Sequence, residues 1–398
     1  MHSFNKSGRI IVTCSKGIAP YLQKEVEELG FKIKATFQTG LQLSGNLNDC
    51  IQLNLNLRCA NHILYSLKSF ECQDATQLYD VVFKDIQWEN IIDENGYFSV
   101  TSNVQNETIT NSLYANVKVK DAIADRFMGV KNKRPDSGSQ VDRTVINLFW
   151  KNNQAEIFLD TSGETLSKHG YRKIPGRAPM MESLAAATLL ATNWDRTSPF
   201  INPMCGSGTL AIEAAMIATN RKPGLFRENY AFMHIKGYEE IFYTNKKEQL
   251  TEQINSLPEL IIIANDISED AINISKINAG AAGVADLIQF DLNDYNEINI
   301  PDQTGGVVFF NPEYGDRLGL EIELQETYQQ MGDFMKQKCK GCRGYIFTGN
   351  LNLAKKIGLK PKRRIEFFNG KIECRLLEYE LYDGSRKKDF PVGEKKFN

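Results

Sequence analysis

Apolar and polar positions follow two different periods along this chain, and the period predicts the element. Short apolar runs at residues 10–13 and 31–37 predict strands. Residues 18–29 carry apolar side chains every three or four positions, as an amphipathic helix does. Gly30 follows that helix and is a common helix stop. The order strand, helix, strand predicts a small α+β module at residues 1–44.

The stretch at residues 45–160 mixes both periods and is predicted to be a second α+β domain. Its strand segments are rich in β-branched and aromatic residues, and Asn152-Asn153 between two of them favours a tight turn. The elements predicted there are helices at 74–83 and 117–127, a strand at 97–101, and a hairpin of strands 146–150 and 155–159.

Residues 161–398 are predicted to form a third, α/β domain. Basic residues at 167–177 read as a connector, and a charged, aromatic insert at 221–258 interrupts the pattern that follows. The alternation of strands with helices predicts a doubly wound parallel sheet. The strands are expected at 260–264, 287–290, 306–310 and 344–348, and the helices at 182–191, 269–279 and 321–338.

Composition narrows the class of protein. The chain has 398 residues, enough for two or three domains. No apolar run approaches the roughly 20 residues that span a bilayer, which predicts no membrane contact. The first eight residues are polar and lack the apolar stretch of a signal peptide, so we expect a cytoplasmic protein.

The eight cysteines are scattered, and Cys339 and Cys342 form the only close pair. Neither a second pair nor a histidine cluster accompanies them, so the sequence predicts no metal site. Reduced and mostly buried thiols are the expected state.

Charge is uneven although the net charge is only −2. Residues 351–398 contain thirteen Lys or Arg and seven Asp or Glu, and residues 118–134 contain six basic and two acidic residues. Such patches are either solvated faces or parts of a nucleic-acid footprint.

A glycine-rich stretch, Asn202-Pro203-Met204-Cys205-Gly206-Ser207-Gly208-Thr209, joins a short apolar run to a segment of good helix formers. Glycines let the backbone approach a ligand, and the free N–H groups at a helix start favour an anionic group. The spacing matches neither the dinucleotide fingerprint nor the P-loop. Alone it indicates only a nucleotide-like ligand. Cys205 has no histidine nearby in sequence, so we interpret it as a small residue that the turn tolerates.

A second motif, Asn311-Pro312-Glu313-Tyr314-Gly315, follows the apolar run 307–310. Together the two motifs resemble class I methyltransferases that use S-adenosylmethionine, and more closely the THUMP-domain RNA guanine-N2 methyltransferases acting on large-subunit ribosomal RNA. Further short matches run through most of the chain: Leu57-Arg58, 119–123, Arg134-Pro135, 160–164, Lys168, 170–172, Ala178-Pro179 and 369–374.

The resemblance implies a fold and a cofactor. It implies a ferredoxin-like module at 1–44, a THUMP RNA-binding domain at 45–160 and a Rossmann-like methyltransferase domain at 161–398. In the last, Asp266 would accept hydrogen bonds from the cofactor ribose and Asp294 would lie beside the adenine, with Asp291 as its rival. A helix N-cap is the alternative role for Asp266. The cofactor-binding residues that it implies are Asn202, Pro203, Cys205, Gly206, Ser207, Gly208, Asp266, Ile267, Asp294 and Asn311.

The resemblance also implies catalytic roles for Asn311, Pro312 and Tyr314. The amide oxygen of Asn311 and the carbonyl of Pro312 would accept from the guanine N2 amine, turning its lone pair toward the methyl group, while Tyr314 stacks on the base. Related loops usually carry a second proline where this chain has Glu313, and aspartate where it has Asn202. We expect the Glu313 side chain to point away from the site, and a general base is the alternative.

The sequence leaves several alternatives open. The same loop serves methylation of adenine N6, cytosine N4 and protein glutamine, and the RNA-binding resemblance favours RNA. Ribosomal RNA is the first expected partner and transfer RNA the second. A catalytically silent RNA-binding assembly factor is the hypothesis from another class. Oligomeric state is not predicted.

Overall fold

The computed structural model describes residues 4–106, 109, 111–177, 179–301, 305–314 and 318–382, with the side chains of 318–321 and 323 excepted. Gly315 of the second motif, Ala178 and the last sixteen residues, which hold part of the basic C-terminal surplus, lie outside this set. In the described part of the chain, no helix is long and apolar enough to cross a membrane.

The first part of the chain folds into one eight-stranded sheet with helices packed on it, in the strand order β2-β3-β1-β4-β8-β7-β5-β6. Its elements are β1 (Gly8–Thr13), α1 (Ala19–Glu28), β2 (Ile33–Phe37), β3 (Gly40–Gly45), α2 (Leu47–Asn56), β4 (His62–Glu71), α3 (Ala75–Asp85), β5 (Tyr97–Gln105), α4 (Ser112–Lys131), β6 (Asp136–Gly138), β7 (Thr144–Lys151) and β8 (Gln154–Asp160).

Local sequence explains these elements well. Asp74 caps α3 by accepting from the backbone N–H groups of Thr76 and Gln77, and Asn46 forms a reciprocal capping box with Asp49 at the start of α2. The predicted hairpin is confirmed: Lys151 pairs with Gln154, and Asn152 adopts a positive φ of 52° between them. The sheet continues across residue 44, because β4 pairs antiparallel with β1.

The second part contains a seven-stranded sheet in the order β11-β10-β9-β12-β13-β15-β14. Its elements are α5 (Glu182–Ala191), β9 (Phe200–Asn202), α6 (Thr209–Ala218), α7 (Glu240–Glu252), β10 (Ile262–Asp266), α8 (Glu269–Ala281), β11 (Ile288–Leu292), β12 (Val307–Phe310), α9 (Leu318–Lys338), β13 (Arg343–Thr348), α10 (Leu351–Ala354), β14 (Arg363–Asn369) and β15 (Ile372–Glu380).

The predicted doubly wound arrangement is confirmed for β9 to β13, which run parallel. Strands β14 and β15 are an antiparallel addition at the edge, joined through Gly370 at a φ of +61°. From β9 the chain winds outward through β10 and β11, and then returns to place β12 on the other side of β9. The carboxyl ends of β9 and β12 therefore lie at the point where strand order reverses, where such sheets bind ligands.

The insert at 221–258 contacts the first part of the chain and so links it to the second part. The Arg227 guanidinium donates to the carbonyls of Ser162 and Glu164 just beyond β8, at 3.1 and 2.7 Å. A Cβ on Gly224 would come within 2.5 Å of the Leu55 backbone in α2, so only glycine allows this close approach. One apolar core also runs through both parts of the chain.

Candidate functional site

A cavity of about 620 Å³ lies at the carboxyl ends of β9, β10 and β12. Both sequence motifs border it, although they are more than a hundred residues apart. Its lining includes Cys205, Gly206, Ser207, Asp266, Ile267, Asn311 and Pro312 from the predicted site, together with Glu313, the connector residues Gly176 and Arg177, and Pro179 just after the connector. This size is typical of a site for a small molecule or cofactor.

The glycine-rich turn requires its glycines for two different reasons. Gly206 and Gly208 adopt positive φ angles of 55° and 81°, where other residues are strained. A Cβ on Gly208 would also lie 2.1 Å from the Ser275 hydroxyl of α8, so this glycine lets α6 and α8 approach. Helix α6 begins directly afterwards, with Gly208 as its N-cap. Its unpaired N–H groups face the same end of the sheet.

Asp266, the last residue of β10, ties the turn to the strand beside it. One carboxylate oxygen accepts from the backbone N–H of Gly206 at 2.9 Å, and the other accepts from Ser268 at 3.0 Å. Ser268, and not Asp266, caps α8 by accepting from Ala271. The helix-cap alternative for Asp266 is therefore wrong, and its carboxylate stays half-exposed at the cavity.

Beside Asp266, the Ile267 side chain is 74 % exposed and lines the cavity. It offers an apolar surface on which a flat ring can stack.

Asp294 is not among the residues that line the cavity. Its carboxylate accepts from the backbone N–H of Asn296 at 2.8 Å. Its rival Asp291 is also outside that set and accepts from the Gln289 amide. The adenine contact assigned to Asp294 stays a prediction.

Two buried asparagines hold the strand ends in register. The Asn202 amide donates to the Phe309 carbonyl at 2.9 Å, which links β9 to β12 across the reversal of strand order. Asparagine can make this bond and aspartate cannot, because a carboxylate only accepts. Asn265 donates to the carbonyls of Pro203 and Asn293, at 3.1 Å each. Sequence reasoning missed Asn265, since nothing local marks a buried polar residue near a strand end as a cross-link.

The basic connector forms one wall of the cavity. Asn278 of α8 accepts from the backbone N–H groups of Lys173 and Ile174 and donates to the carbonyls of Ile174 and Ser207, all within 3.1 Å. A Cβ on Gly176 would meet the Ser207 side chain at 3.3 Å, so the connector lies directly on the glycine-rich turn. Asn278 was not predicted as a site residue.

Arg172 makes further contacts that hold the connector next to the cavity. Its guanidinium donates to the Met180 carbonyl at 2.6 Å and to the Thr209 hydroxyl at 3.0 Å, and it lies 3.4 Å from the Glu182 carboxylate. Arg177 is exposed at the cavity, where it is the only cationic residue among the described lining residues. The connector thus brings a positive charge to the cavity, whose other charged residues among the described lining are Asp266, Asp270 and Glu313.

The second motif is held to the core from behind. Tyr328 of α9 donates from its hydroxyl to the Glu313 carbonyl at 3.3 Å. The Tyr314 hydroxyl accepts from the Asn369 amide at 2.8 Å, and its ring packs against Gly349. Pro312 is buried, whereas Asn311 is half-buried and borders the cavity.

The structure therefore assembles most, but not all, of the predicted set. Asn202, Pro203, Gly208 and Tyr314 lie next to the cavity in the chain but not among its lining residues, so their direct contacts stay predictions. Glu313 is exposed and borders the cavity; the orientation of its side chain stays a prediction. Burial raises the pKa of the Cys205 thiol to about 12, with Asp266 adding to the effect. A thiol at that pKa is protonated at neutral pH, which agrees with a packing role.

Behind the site, His169 joins the two parts of the chain. One ring nitrogen lies 2.7 Å from the Glu213 carboxylate of α6, and the other lies 2.9 Å from the Arg58 carbonyl. Both neighbours are acceptors, so the geometry fits a doubly protonated, charged ring. Burial lowers the pKa of His169, but the Glu213 carboxylate and the hydrogen bonds outweigh burial, so the pKa is raised above its usual value.

All eight cysteines are buried and free.

Comparison with known proteins gives three matches along the chain. Residues 169–378, slightly more than half of it, match the family described as RMKL-like, methyltransferase domain. Residues 9–64 match the RlmL ferredoxin-like domain, and residues 72–160 match the THUMP domain.

Individual relatives agree with these matches. The chain is 32% identical over 382 residues to a ribosomal RNA large subunit methyltransferase K/L of Syntrophotalea carbinolica, covering 94% of this chain and 53% of that protein. It is 33% identical over 376 residues to the protein of that name from Psychromonas ingrahamii, covering 93% and 50%. The chain thus spans about half the length of these relatives. A crystal structure of SMU.472, a putative methyltransferase complexed with SAH, superposes with a TM-score of 0.85 at 27% identity, covering 96% of this chain and all of that one.

Proposed function

The chain belongs to the family of RMKL-like methyltransferase domains, and from that premise we propose that it methylates the N2 amine of a guanosine in structured RNA, using S-adenosylmethionine. One observation carries the proposal: a single cavity brings together the glycine-rich turn, the Asp266 carboxylate and the Asn311-Pro312 loop. A ligand bound between them would touch cofactor-binding and acceptor-binding residues at once.

The residues present fit the cofactor. The Asp266 oxygens each keep a lone pair after accepting from Gly206 and Ser268, so they can accept from two ribose hydroxyls. The exposed Ile267 side chain offers an apolar surface for the adenine ring. When bound, the cofactor supplies an electrophilic methyl group on a sulfonium. The known SAH complex of a relative similar over its whole length supports the same choice.

The protein's contribution to the reaction is positioning. Guanine N2 is a poor nucleophile because its lone pair is delocalised into the ring. Hydrogen-bond acceptors at Asn311 and Pro312 hold both N–H bonds and direct the lone pair out of that conjugation. The hydrogen bond from Tyr328 to the Glu313 carbonyl holds the backbone next to these acceptors, which favours their alignment with the base. A paired base must first leave its helix, at a cost of roughly a few kcal/mol.

The region before residue 161 supports RNA as the substrate. In this chain the matches to the RlmL ferredoxin-like domain and to the THUMP domain lie before the methyltransferase match. We propose division points after residues 44 and 160, ribosomal RNA of the large subunit as first substrate, transfer RNA as second, and a cytoplasmic location.

Transfer of labelled methyl groups to unmodified transcripts of 23S rRNA, 16S rRNA and tRNA tests this proposal. We expect incorporation into 23S rRNA, and Asn311→Ala should keep SAH affinity while losing more than tenfold in turnover, or about 1.4 kcal/mol of barrier. Asn255→Ala is the matched control, because Asn255 is exposed and outside the cavity. RNA binding and SAH binding without any transfer would identify a silent assembly factor instead. Wild-type turnover in Asn311→Ala would remove Asn311 from the mechanism.

A further inference from the structure

Glu313 stands in the loop that should receive the methyl-accepting base, and its carboxylate is uncommitted. The residue is exposed and lines the cavity together with Asn311 and Pro312. Among the described residues, its carboxylate has no hydrogen bond or ion pair. Its backbone, in contrast, is anchored, since its carbonyl accepts from Tyr328, whose own hydroxyl lies 2.8 Å from Thr348. The Glu313 backbone is therefore held by a hydrogen bond, while the charged end of its side chain is free to meet a ligand.

An ionised carboxylate can only accept hydrogen bonds, and this restricts which amine can be presented beside it. Adenine carries a ring nitrogen with a lone pair next to its N6 amine, and cytosine carries one next to its N4 amine. A glutamine side chain carries a carbonyl oxygen next to its amide nitrogen. In guanine the N2 amine lies between N3, which carries a lone pair, and N1–H, which is a donor. Among these methyl-accepting groups, only guanine presents a second hydrogen-bond donor beside the amine that is methylated.

We propose that Glu313 selects guanine by accepting the N1–H of the base whose N2 amine is held by Asn311 and Pro312. The inference rests on the proposed function and adds the residue that distinguishes guanine from other amines. Adenine or cytosine in the same position would turn a lone pair toward the carboxylate, leaving two acceptors facing each other. Glu313 is then a specificity-determining residue, and it transfers no proton in the reaction.

Because Glu313 is charged, its hydrogen bond to guanine is expected to change the rate or the affinity measurably. A carboxylate near RNA repels the phosphate backbone, so its presence in the acceptor loop costs binding that a favourable contact must offset. A hydrogen bond to a charged group changes a rate or an affinity by roughly 10- to 150-fold. Arg177, which borders the same cavity, reduces the repulsion without offering an acceptor of its own.

Base analogues test the contact directly. The substrate is the RNA fragment mapped as the methylation site in 23S rRNA, prepared with either guanosine or 2-aminopurine at the target position. The analogue keeps the N2 amine but has a lone pair at N1 in place of N1–H. We expect wild-type enzyme to prefer guanosine by at least tenfold in kcat/KM. Glu313→Gln should bring the two substrates within about threefold, because a rotated amide can donate to N1.

The analogue also lacks the guanine O6, but this loss affects both enzymes equally and cancels in the comparison. Glu313→Asp should retain a preference for guanosine, since it keeps the carboxylate. Asp270→Asn is the matched control: it removes one charge from the same cavity, on α8, and should leave the ratio of the two substrates unchanged. SAH affinity and thermal unfolding of each variant check that the fold and the cofactor site persist.

The outcomes separate the alternatives. A guanosine preference that is the same in wild type and Glu313→Gln would overturn the inference. If Glu313→Gln loses about a hundredfold on both substrates, with a changed pH profile, Glu313 is a general base and the inference is again wrong. Failure of the wild-type enzyme to methylate RNA at all would count against the proposed function rather than against the role of Glu313.

Discussion

Replacement of Asp266 by asparagine should weaken cofactor binding much more than it weakens the fold. The wild-type carboxylate accepts from Gly206 and Ser268 and has two lone pairs left for the ribose hydroxyls. The asparagine side chain is uncharged, and its NH₂ group faces one of the two backbone N–H groups and cannot accept from it. A charge-assisted interaction of this kind contributes about 1.5–3 kcal/mol, so the dissociation constant for SAH should rise roughly 10- to 150-fold. The free energy of unfolding should fall by only about 1–2 kcal/mol, because one backbone donor loses its acceptor and the other keeps a neutral amide oxygen.

Isothermal titration calorimetry with SAH at 25 °C measures the binding change, and denaturant unfolding measures the change in stability. Asp270→Asn is the control, since Asp270 lines the same cavity with the same charge but is not placed at the end of β10. We expect its SAH affinity to change less than about threefold, as for a surface charge. Equal losses in the two variants would show that only the overall charge of the cavity matters. An unchanged affinity in Asp266→Asn would remove Asp266 from the cofactor site.

Three further predictions follow from contacts outside the cavity and at its mouth. Arg177→Met should weaken the binding of SAH, measured by calorimetry, by about threefold or more, and should leave the binding of 5′-methylthioadenosine unchanged. The reason is that only SAH has a carboxylate with which the Arg177 cation can pair. Equal losses of affinity for the two ligands would contradict this. His169→Gln should lower unfolding free energy most at acidic pH. The pKa of His169 is raised in the fold, so its stabilisation is complete below the unfolded pKa of about 6.5 and disappears as pH rises through the folded pKa; a pH-independent difference in urea unfolding would refute it. A chain beginning at residue 161 should not fold cooperatively, because it loses the shared core and the Leu55 contact of Gly224; a sharp thermal transition by circular dichroism would show otherwise.

The parts of the site that the sequence predicted are those with a local signature. The glycine-rich turn was recognisable because its glycines are spaced for a strand-to-helix turn, and the structure gives both of them positive φ angles. The Asn-Pro loop was recognisable because it follows a short apolar run. The end of β10 was predicted two residues early, since Asn265 and Asp266 are polar and poor strand formers.

The residues that were missed act through long-range contacts. Asn278 binds the connector from about a hundred residues away, and Tyr328 supports Glu313 from the next helix. No periodicity or spacing marks such pairs, because either residue could be an ordinary position in its helix. The insert at 221–258 was visible only as an interruption, and its role in joining the two sheets depends on contacts with residues 55 and 162–164.

Nucleoside analysis of methylated 23S rRNA tests the central claim most directly. Unmodified 23S rRNA is incubated with the wild-type protein and isotopically labelled S-adenosylmethionine, digested to nucleosides and analysed by mass spectrometry. The proposed function predicts that the label appears in N2-methylguanosine, and that Asn311→Ala abolishes it. Label in N6-methyladenosine or N4-methylcytidine, or no label in a protein preparation that binds both SAH and RNA, would contradict the assignment.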